Sequence, residues 1–238
     1  MSVVLVTGGT RGIGRAIADG FAARGHVVAV VARTEVPDCP HAQLQGDLRD
    51  PEVCAAVVDA VVERLGALDV LVNNAGGSPF ADAATASARF STKIVTLNLL
   101  APLFMAQAAY RHMRARGGVI INVASVSGLR ASPGTAAYGA AKAGLLNLTK
   151  SLAIEWAPDV RVCAVSPGLV ATEDAMSHYP DPAAIAATVP LGRFATPQDV
   201  ANACVWLASP EAAYATGNNL VLDGGGDWPA FLRPGVSK

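Results

Sequence analysis

Short unbroken apolar runs alternate with longer stretches of helical spacing along most of the chain. Val3-Val4-Leu5-Val6-Thr7 opens it as a continuous apolar run, the pattern of a strand buried on both faces of a parallel sheet. Because this strand pattern begins almost at once, no signal peptide is expected. Gly8-Gly9-Thr10-Arg11-Gly12-Ile13-Gly14 follows, then helical spacing over residues 15–24 that Gly25 ends. Residues 27–31 and 42–45 read as the second and third strands. Pro51, at a favourable early position, opens a helix to about residue 65. Strand 69–73, a long helix over 89–116, strand 119–124, helix 135–156, strand 160–166, helix 197–208 and strand 219–222 complete the alternation, ahead of a tail containing Gly and Pro. No interval is long enough to separate domains, and no repeat is visible. The expectation is an α/β fold: one domain over 1–238, a Rossmann-type doubly wound parallel sheet flanked by helices on both faces.

Composition narrows the function classes. Of 238 residues, 52% are hydrophobic and 16% charged, which supports a large core and argues against disorder. The net charge is −1 and no basic stripe stands out, so nucleic acid is not an expected partner. Cys39, Cys54, Cys163 and Cys204 are widely spaced without a CxxC, suggesting free thiols in a reducing, cytoplasmic setting and neither a disulfide framework nor a metal site. The uncharged run 94–110 is broken by Asn98, Pro102 and Gln107; it reads as too short and too polar to span a membrane.

The order strand, glycine loop, helix suits a dinucleotide pyrophosphate. Without Cβ atoms the backbone can approach the phosphates, and the helix N-terminus offers unpaired N–H groups and the positive end of its dipole. The spacing Gly8-x-x-x-Gly12-x-Gly14 is not GxGxxG, and a tight strand-to-helix turn would account for it as well. The end of the second strand separates the two nicotinamide cofactors, since an acid accepts from a ribose hydroxyl and an arginine holds a 2′-phosphate. That strand ends Val31-Ala32-Arg33, with Arg11 in the glycine loop and Glu35 past the strand end, which favours NADP(H) over NAD(H). The bland alternative leaves Arg11 and Arg33 solvated. Tyr138 and Lys142 stand four residues apart on a helix, so phenol and ammonium share a face. A neighbouring cation favours the phenolate, so a lowered tyrosine pKa is expected. Taken alone, the pair reads equally as an exposed Tyr beside a solvated Lys. Ser125 lies thirteen residues upstream of Tyr138, where an apolar run ends.

In these motifs the chain resembles the short-chain dehydrogenase/reductase family over nearly its whole length, and its 3-oxoacyl-carrier-protein reductase-like branch in particular. Thr7-Gly8-Gly9-Thr10-Arg11-Gly12-Ile13-Gly14 is similar to the family's glycine motif, Asn73-Asn74-Ala75-Gly76 to its NNAG motif, and Asp47-Leu48 to the acidic pair bordering adenine. Pro167-Gly168-Leu169-Val170-Ala171-Thr172 resembles the PGxxxT segment beside the nicotinamide. Leu191-Gly192-Arg193-Phe194-Ala195-Thr196-Pro197 and Val221-Leu222-Asp223-Gly224-Gly225 resemble that branch's C-terminal pattern. Asn98, Ser125, Tyr138 and Lys142 fall where the family carries its catalytic tetrad. The interval 33–41 departs from the pattern: family members commonly place a helix there, and Pro37 and Pro40 oppose one.

The resemblance implies a ketone–alcohol oxidoreductase. Tyr138 would be the general acid, Lys142 would tune it and hold the nicotinamide ribose, and Ser125 would stabilise the substrate oxygen, with Ser127 as its rival. Asn98 would hold a water where the long helix is disturbed, or else be an ordinary helix Asn satisfied by backbone. Gly8, Thr10, Gly12, Ile13, Gly14, Leu48, Ala75, Gly76, Pro167, Gly168, Val170 and Thr172 would line the cofactor. Asn74 would brace strands, and Asp47 would meet adenine or cap a loop. Residues 173–190 would form a substrate lid, with Met176, His178 and Tyr179 as candidate contacts, and 227–238 a tail whose Trp228 and Phe231 could face a partner subunit. The resemblance also implies a small-molecule carbonyl substrate, no membrane partner, and a homotetramer or homodimer. Arg111, Arg114 and Arg116 could dock an acidic carrier, or simply complement a helix C-terminus. The rival classes are a non-catalytic dinucleotide-binding sensor or scaffold, and a serine hydrolase. The last lacks a GxSxG elbow around Ser125.

Overall fold

The strands are β1 (Val3–Thr7), β2 (Val27–Ala32), β3 (Ala42–Gln45), β4 (Val70–Asn73), β5 (Gly118–Val123), β6 (Val160–Pro167) and β7 (Asn219–Leu222). In the computed structural model, which describes residues 1–176 and 180–226, they form one sheet in the order β3-β2-β1-β4-β5-β6-β7. Every neighbouring pair is parallel; Leu5, for example, lies opposite Ala29 on one side and Leu71 on the other. The helices are α1 (Gly12–Ala22), α2 (Pro51–Leu65), α3 (Ala88–Val95), α4 (Ala101–Met113), α5 (Ala136–Glu155), α6 (Glu173–Met176), α7 (Pro182–Ala186) and α8 (Pro197–Ala208). A π-helical turn, Thr96–Leu100, joins α3 to α4.

Strand periodicity explains the layers. Successive residues of β1 point to opposite faces. Val3 and Leu5 pack with Val57, Val61, Met105 and Met113 of α2 and α4. Val4 and Val6 pack with Ile17 and Phe21 of α1 and with Val200 and Leu207 of α8. Both faces are covered, so the strands read as unbroken apolar runs. Each fully buried Leu, Ile or Phe here contributes about 1.5–3 kcal/mol of transfer free energy. The strand order reverses beside β1, and in such sheets ligands bind at the carboxyl ends of the strands at that reversal.

Two expectations need amendment. The helix expected over 89–116 is three segments ending at Met113, because Asn98 opens a π turn within it. Together they run Ala88–Met113, 26 residues and largely apolar. By length and composition that could cross a membrane, contrary to the expectation from 94–110. Its apolar side is spent on the core instead: Ala101, Met105, Ala109 and Met113 are buried. The interval 173–190 holds α6 and α7, both too short to show a helical period; Asp181 caps α7 by accepting from the Ala184 N–H at 3.0 Å. Residues 33–41 form no helix, as Pro37 and Pro40 suggested. His178, Tyr179, Trp228 and Phe231 lie outside the described residues.

Candidate active site

The glycine loop fits a dinucleotide pyrophosphate. A Cβ on Gly14 would overlap the Gly8 carbonyl and the Asn74 side-chain amide, so only glycine lets α1 start this close to β1. No side chain caps the N-terminus of α1 and no acid sits in its first turn, which leaves its N–H groups and positive dipole end available to an anion. Thr172 faces this loop: its methyl is 3.7 Å from where a Gly12 Cβ would stand. The glycine loop and the PGxxxT segment therefore form the two sides of one crevice. Gly168 is held by its N–H on Leu222 O (2.9 Å), and Val170 pairs with Ala195.

Asn74 braces this edge, as anticipated. Its Nδ2 donates to Thr7 O at 2.9 Å, while the N–H groups of Asn74 and Ala75 both donate to the buried Thr7 Oγ1 at 2.9 Å. Thr7 was not singled out in the sequence, although a Thr ending an apolar strand is the available signal. Arg11 precedes α1 with an exposed side chain, between Thr10 of the loop and the first turn of α1, which holds Ile13, and Arg33 is exposed just past β2.

Asn98 and Lys142 meet at Gly76, the Tyr138 ring lies beside Lys142, and Ser125 reaches Tyr138. A Cβ at Gly76 would touch Lys142 Nζ at 3.5 Å and overlap Asn98 Oδ1, so a side chain at this position would displace the Asn98 amide. Asn98 is completely buried in the π turn. Its Oδ1 accepts from Gly77 N–H (2.9 Å), and its Nδ2 donates to Gly77 O (3.0 Å) and Ile94 O (2.9 Å). Its side chain is thus satisfied by backbone, the plainer of the two readings, although the helix is disturbed at that point as expected. Lys142 is 3% exposed, donates to Val123 O at 2.7 Å, and holds its Nζ 5.6 Å from the centre of the Tyr138 ring. Burial pulls its pKa down to about 8.

Tyr138 corrects one expectation. Its pKa lies above the usual phenol value because burial disfavours the phenolate, and the Ser125 side chain, within hydrogen-bonding range, pulls in the opposite direction. The expected lowering by Lys142 does not prevail in this geometry. Ser125 sits at the start of the 3-10 turn Val126–Gly128, where its Oγ accepts from the Ser127 backbone N–H at 3.1 Å, and its side chain is the one that reaches Tyr138.

Asp47 is engaged by a residue that sequence reasoning passed over. Arg49 donates from its backbone and from Nε to Asp47 Oδ1 at 3.1 and 2.9 Å, and its Nη2 closes on Oδ2. Arg49, helped by Arg33, holds the Asp47 carboxyl down at about 2. Leu48, next to it, is buried. Asn122 and Thr149 were missed as well. Asn73 Nδ2 donates to Asn122 Oδ1 (2.9 Å), Asn122 Nδ2 to Thr149 Oγ1 (2.9 Å), and Thr149 Oγ1 to Leu145 O (2.8 Å). Polar residues inside otherwise apolar runs were the signal. Met176 is half-buried in α6.

Fold and crevice together define a nicotinamide-dinucleotide oxidoreductase. The family model described as enoyl-(acyl carrier protein) reductase matches residues 8–227. An uncharacterized short-chain type dehydrogenase/reductase of Sinorhizobium fredii is 40% identical over 98% of this chain, which spans 44% of that protein. A 3-oxoacyl-[acyl-carrier-protein] reductase of Vibrio cholerae is 38% identical over 94% of this chain and 96% of its own. The solved aldohexose dehydrogenase of Thermoplasma acidophilum superposes with a TM-score of 0.90 at 30% identity, covering 100% of this chain and 96% of that one. The chain belongs to the short-chain dehydrogenase/reductase family. It is an oxidoreductase acting between carbonyl and alcohol.

Proposed function

We propose that this chain, read as one unit over 1–238, interconverts a small-molecule ketone and a secondary alcohol using NADP(H) in preference to NAD(H). The observation that carries this reading is a chain of neighbours on the same sheet edge as the glycine loop: Ser125 reaches Tyr138, the Tyr138 ring lies beside Lys142, and Lys142 and Asn98 meet at Gly76. The glycine loop and the first turn of α1 would hold the pyrophosphate. Arg11 and Arg33 would meet the 2′-phosphate, with Asp47 and Leu48 at the adenine and Ala75, Gly76, Pro167, Gly168, Val170 and Thr172 toward the nicotinamide. When bound, the reduced nicotinamide supplies a hydride to the carbonyl carbon.

Tyr138 gives its proton to the carbonyl oxygen. Its raised pKa keeps it in the protonated form that this step needs near neutral pH. Ser125 donates to the oxygen as negative charge develops. With a pKa of about 8, Lys142 is still mainly a cation at neutral pH. It favours the phenolate that Tyr138 leaves behind, and in the oxidative direction the same phenolate would accept the alcohol proton. Asn98 fixes the 76–77 segment against Lys142.

Residues 173–190 are assigned to the substrate lid, supported by Thr172 leading into α6 opposite Gly12. Exposed Leu100 and Ile154 on the helical layer, and Trp206 and Val221 at the far end of the sheet, support a homotetramer or homodimer. Four free cysteines, three of them buried, fit a cytoplasmic setting.

The test is oxidation of NADPH and NADH against a panel of β-keto esters, quinones, cyclic ketones and sugars. We expect ketone-dependent turnover with NADPH favoured, and Arg33→Asp to shift the preference toward NADH by about tenfold or more, the loss of a bidentate phosphate contact. Unchanged discrimination after that substitution would overturn the cofactor assignment.

A further inference from the structure

Residues 33–41 connect β2 to β3 without a helix, and the way this short segment is held reaches the cofactor site. β3 is the outermost strand of the sheet. Its sequence, Ala42-Gln43-Leu44-Gln45, places Gln43 and Gln45 on one face and the buried Leu44 on the other. Both glutamines reach back to the connecting segment. Gln43 Oε1 accepts from Val36 N–H at 2.9 Å, and its Nε2 donates to Val36 O at 2.8 Å. A single side-chain amide thus meets both backbone groups of one residue, the pairing that a neighbouring strand would otherwise provide. Gln45 Nε2 donates to Arg33 O at 2.8 Å. The far end is tied to α1, where His41 Nε2 lies 2.7 Å from Asp19 Oδ1 and the imidazole is nearly buried.

These ties fix the segment Arg33–Val36, which decides the register at the end of β2. Arg33 is fixed by its carbonyl and Val36 by both its backbone groups, with Thr34 and Glu35 spanning between. A one-residue slip would bring Glu35 nearer to the strand end, and an acid there favours a ribose hydroxyl over a 2′-phosphate. Arg33 is exposed just past the end of β2 and near enough to Asp47 for its charge to be felt there.

We infer that Gln43 and Gln45 are positioning residues for cofactor selectivity: they hold Arg33, rather than Glu35, where the 2′-phosphate is recognised. The inference rests on the assignment of Arg33 to that phosphate. Removing both glutamines takes away three hydrogen bonds; only the share of that loss that reaches Arg33 is felt by the cofactor, so NADPH binding should weaken about three- to tenfold, roughly the worth of the single bond to Arg33 O.

The experiment measures dissociation constants of NADPH and NADH by reduced-nucleotide fluorescence for wild type, Gln43→Ala/Gln45→Ala, Arg33→Ala and the triple variant. The double variant should lose NADPH affinity by that factor with NADH affinity within about twofold, and the triple should be no weaker for NADPH than Arg33→Ala alone. Equal losses for both cofactors, an unchanged double variant, or a further independent loss in the triple overturns the positioning role. An Arg33→Ala variant with unchanged discrimination overturns the underlying assignment, and the inference with it. If the double variant does not fold, Gln45→Met, which keeps the side-chain length and the charge but removes the donor to Arg33 O, must show the same NADPH-selective loss.

Discussion

Burying an ammonium costs free energy that a methionine at the same place would not. Lys142 is 3% exposed, and its pKa falls from 10.5 to about 8 because water is excluded around it. The folded state therefore holds this proton less tightly than the unfolded chain does. Below pH 8 both states carry the proton, and the full penalty, roughly 3 kcal/mol, weighs on the fold. Between about pH 8 and 10.5 the unfolded chain binds more protons, so this group makes stability rise with pH there. Lys142→Met should resist urea better than wild type at pH 7 by about 1–3 kcal/mol while losing turnover, with the advantage shrinking as the pH approaches 10. A variant less stable than wild type at pH 7 would show that the Val123 hydrogen bond outweighs desolvation. At this scale the site was largely legible: Ser125, Tyr138 and Lys142 stand together as their spacing implied. The tyrosine's pKa was not, because burial is set by how the 125–132 segment lies on α5, which no local spacing encodes.

At the scale of elements, strands and long helices followed from apolar runs and Pro or Gly punctuation, with no boundary off by more than three residues. The π turn at Thr96–Leu100 had only an Asn amid apolar residues to announce it. The turn widens because Asn98 is held by Gly77, 21 residues away, and periodicity within one helix cannot report such a partner. Asn98→Ala removes three hydrogen bonds to buried or half-buried backbone and leaves those groups unpaired, at about 1–3 kcal/mol for each group left buried without a partner. We expect a loss of at least about 2 kcal/mol in urea unfolding together with weaker cofactor binding, since the 76–77 segment loses its support. Full stability with normal binding would mean that the clamp is incidental. The helix α8 was, by contrast, readable at its start: Thr196 and Asp199 form a reciprocal capping box ahead of it, with Pro197 in its first turn.

Across the whole molecule, alternation of strands and helices announced a parallel sheet with both faces covered, and the seven strands confirm it. What the alternation could not give was the buried polar chain that ties the layers together. Asn73 on β4 bonds Pro102 O at the start of α4 and Asn122 on β5, and Asn122 bonds Thr149 on α5, two turns beyond Lys142. This chain sets the depth at which α5 sits on the sheet. Asn122→Ala should cost about 2–4 kcal/mol, and combining it with Thr149→Val should cost less than the sum, because both break the same chain; strict additivity in urea melts would deny the coupling. The central claim is that α5 delivers one phenol to the crevice at the carboxyl edge of this sheet, and Tyr138→Phe tests it most directly. The ring and its packing remain while the proton is lost. Single-turnover reduction of a ketone with NADPH should slow by about 10²–10⁴-fold, the usual worth of a positioned acid, with the NADPH dissociation constant within about threefold of wild type. Near-normal turnover with that constant unchanged would contradict the account.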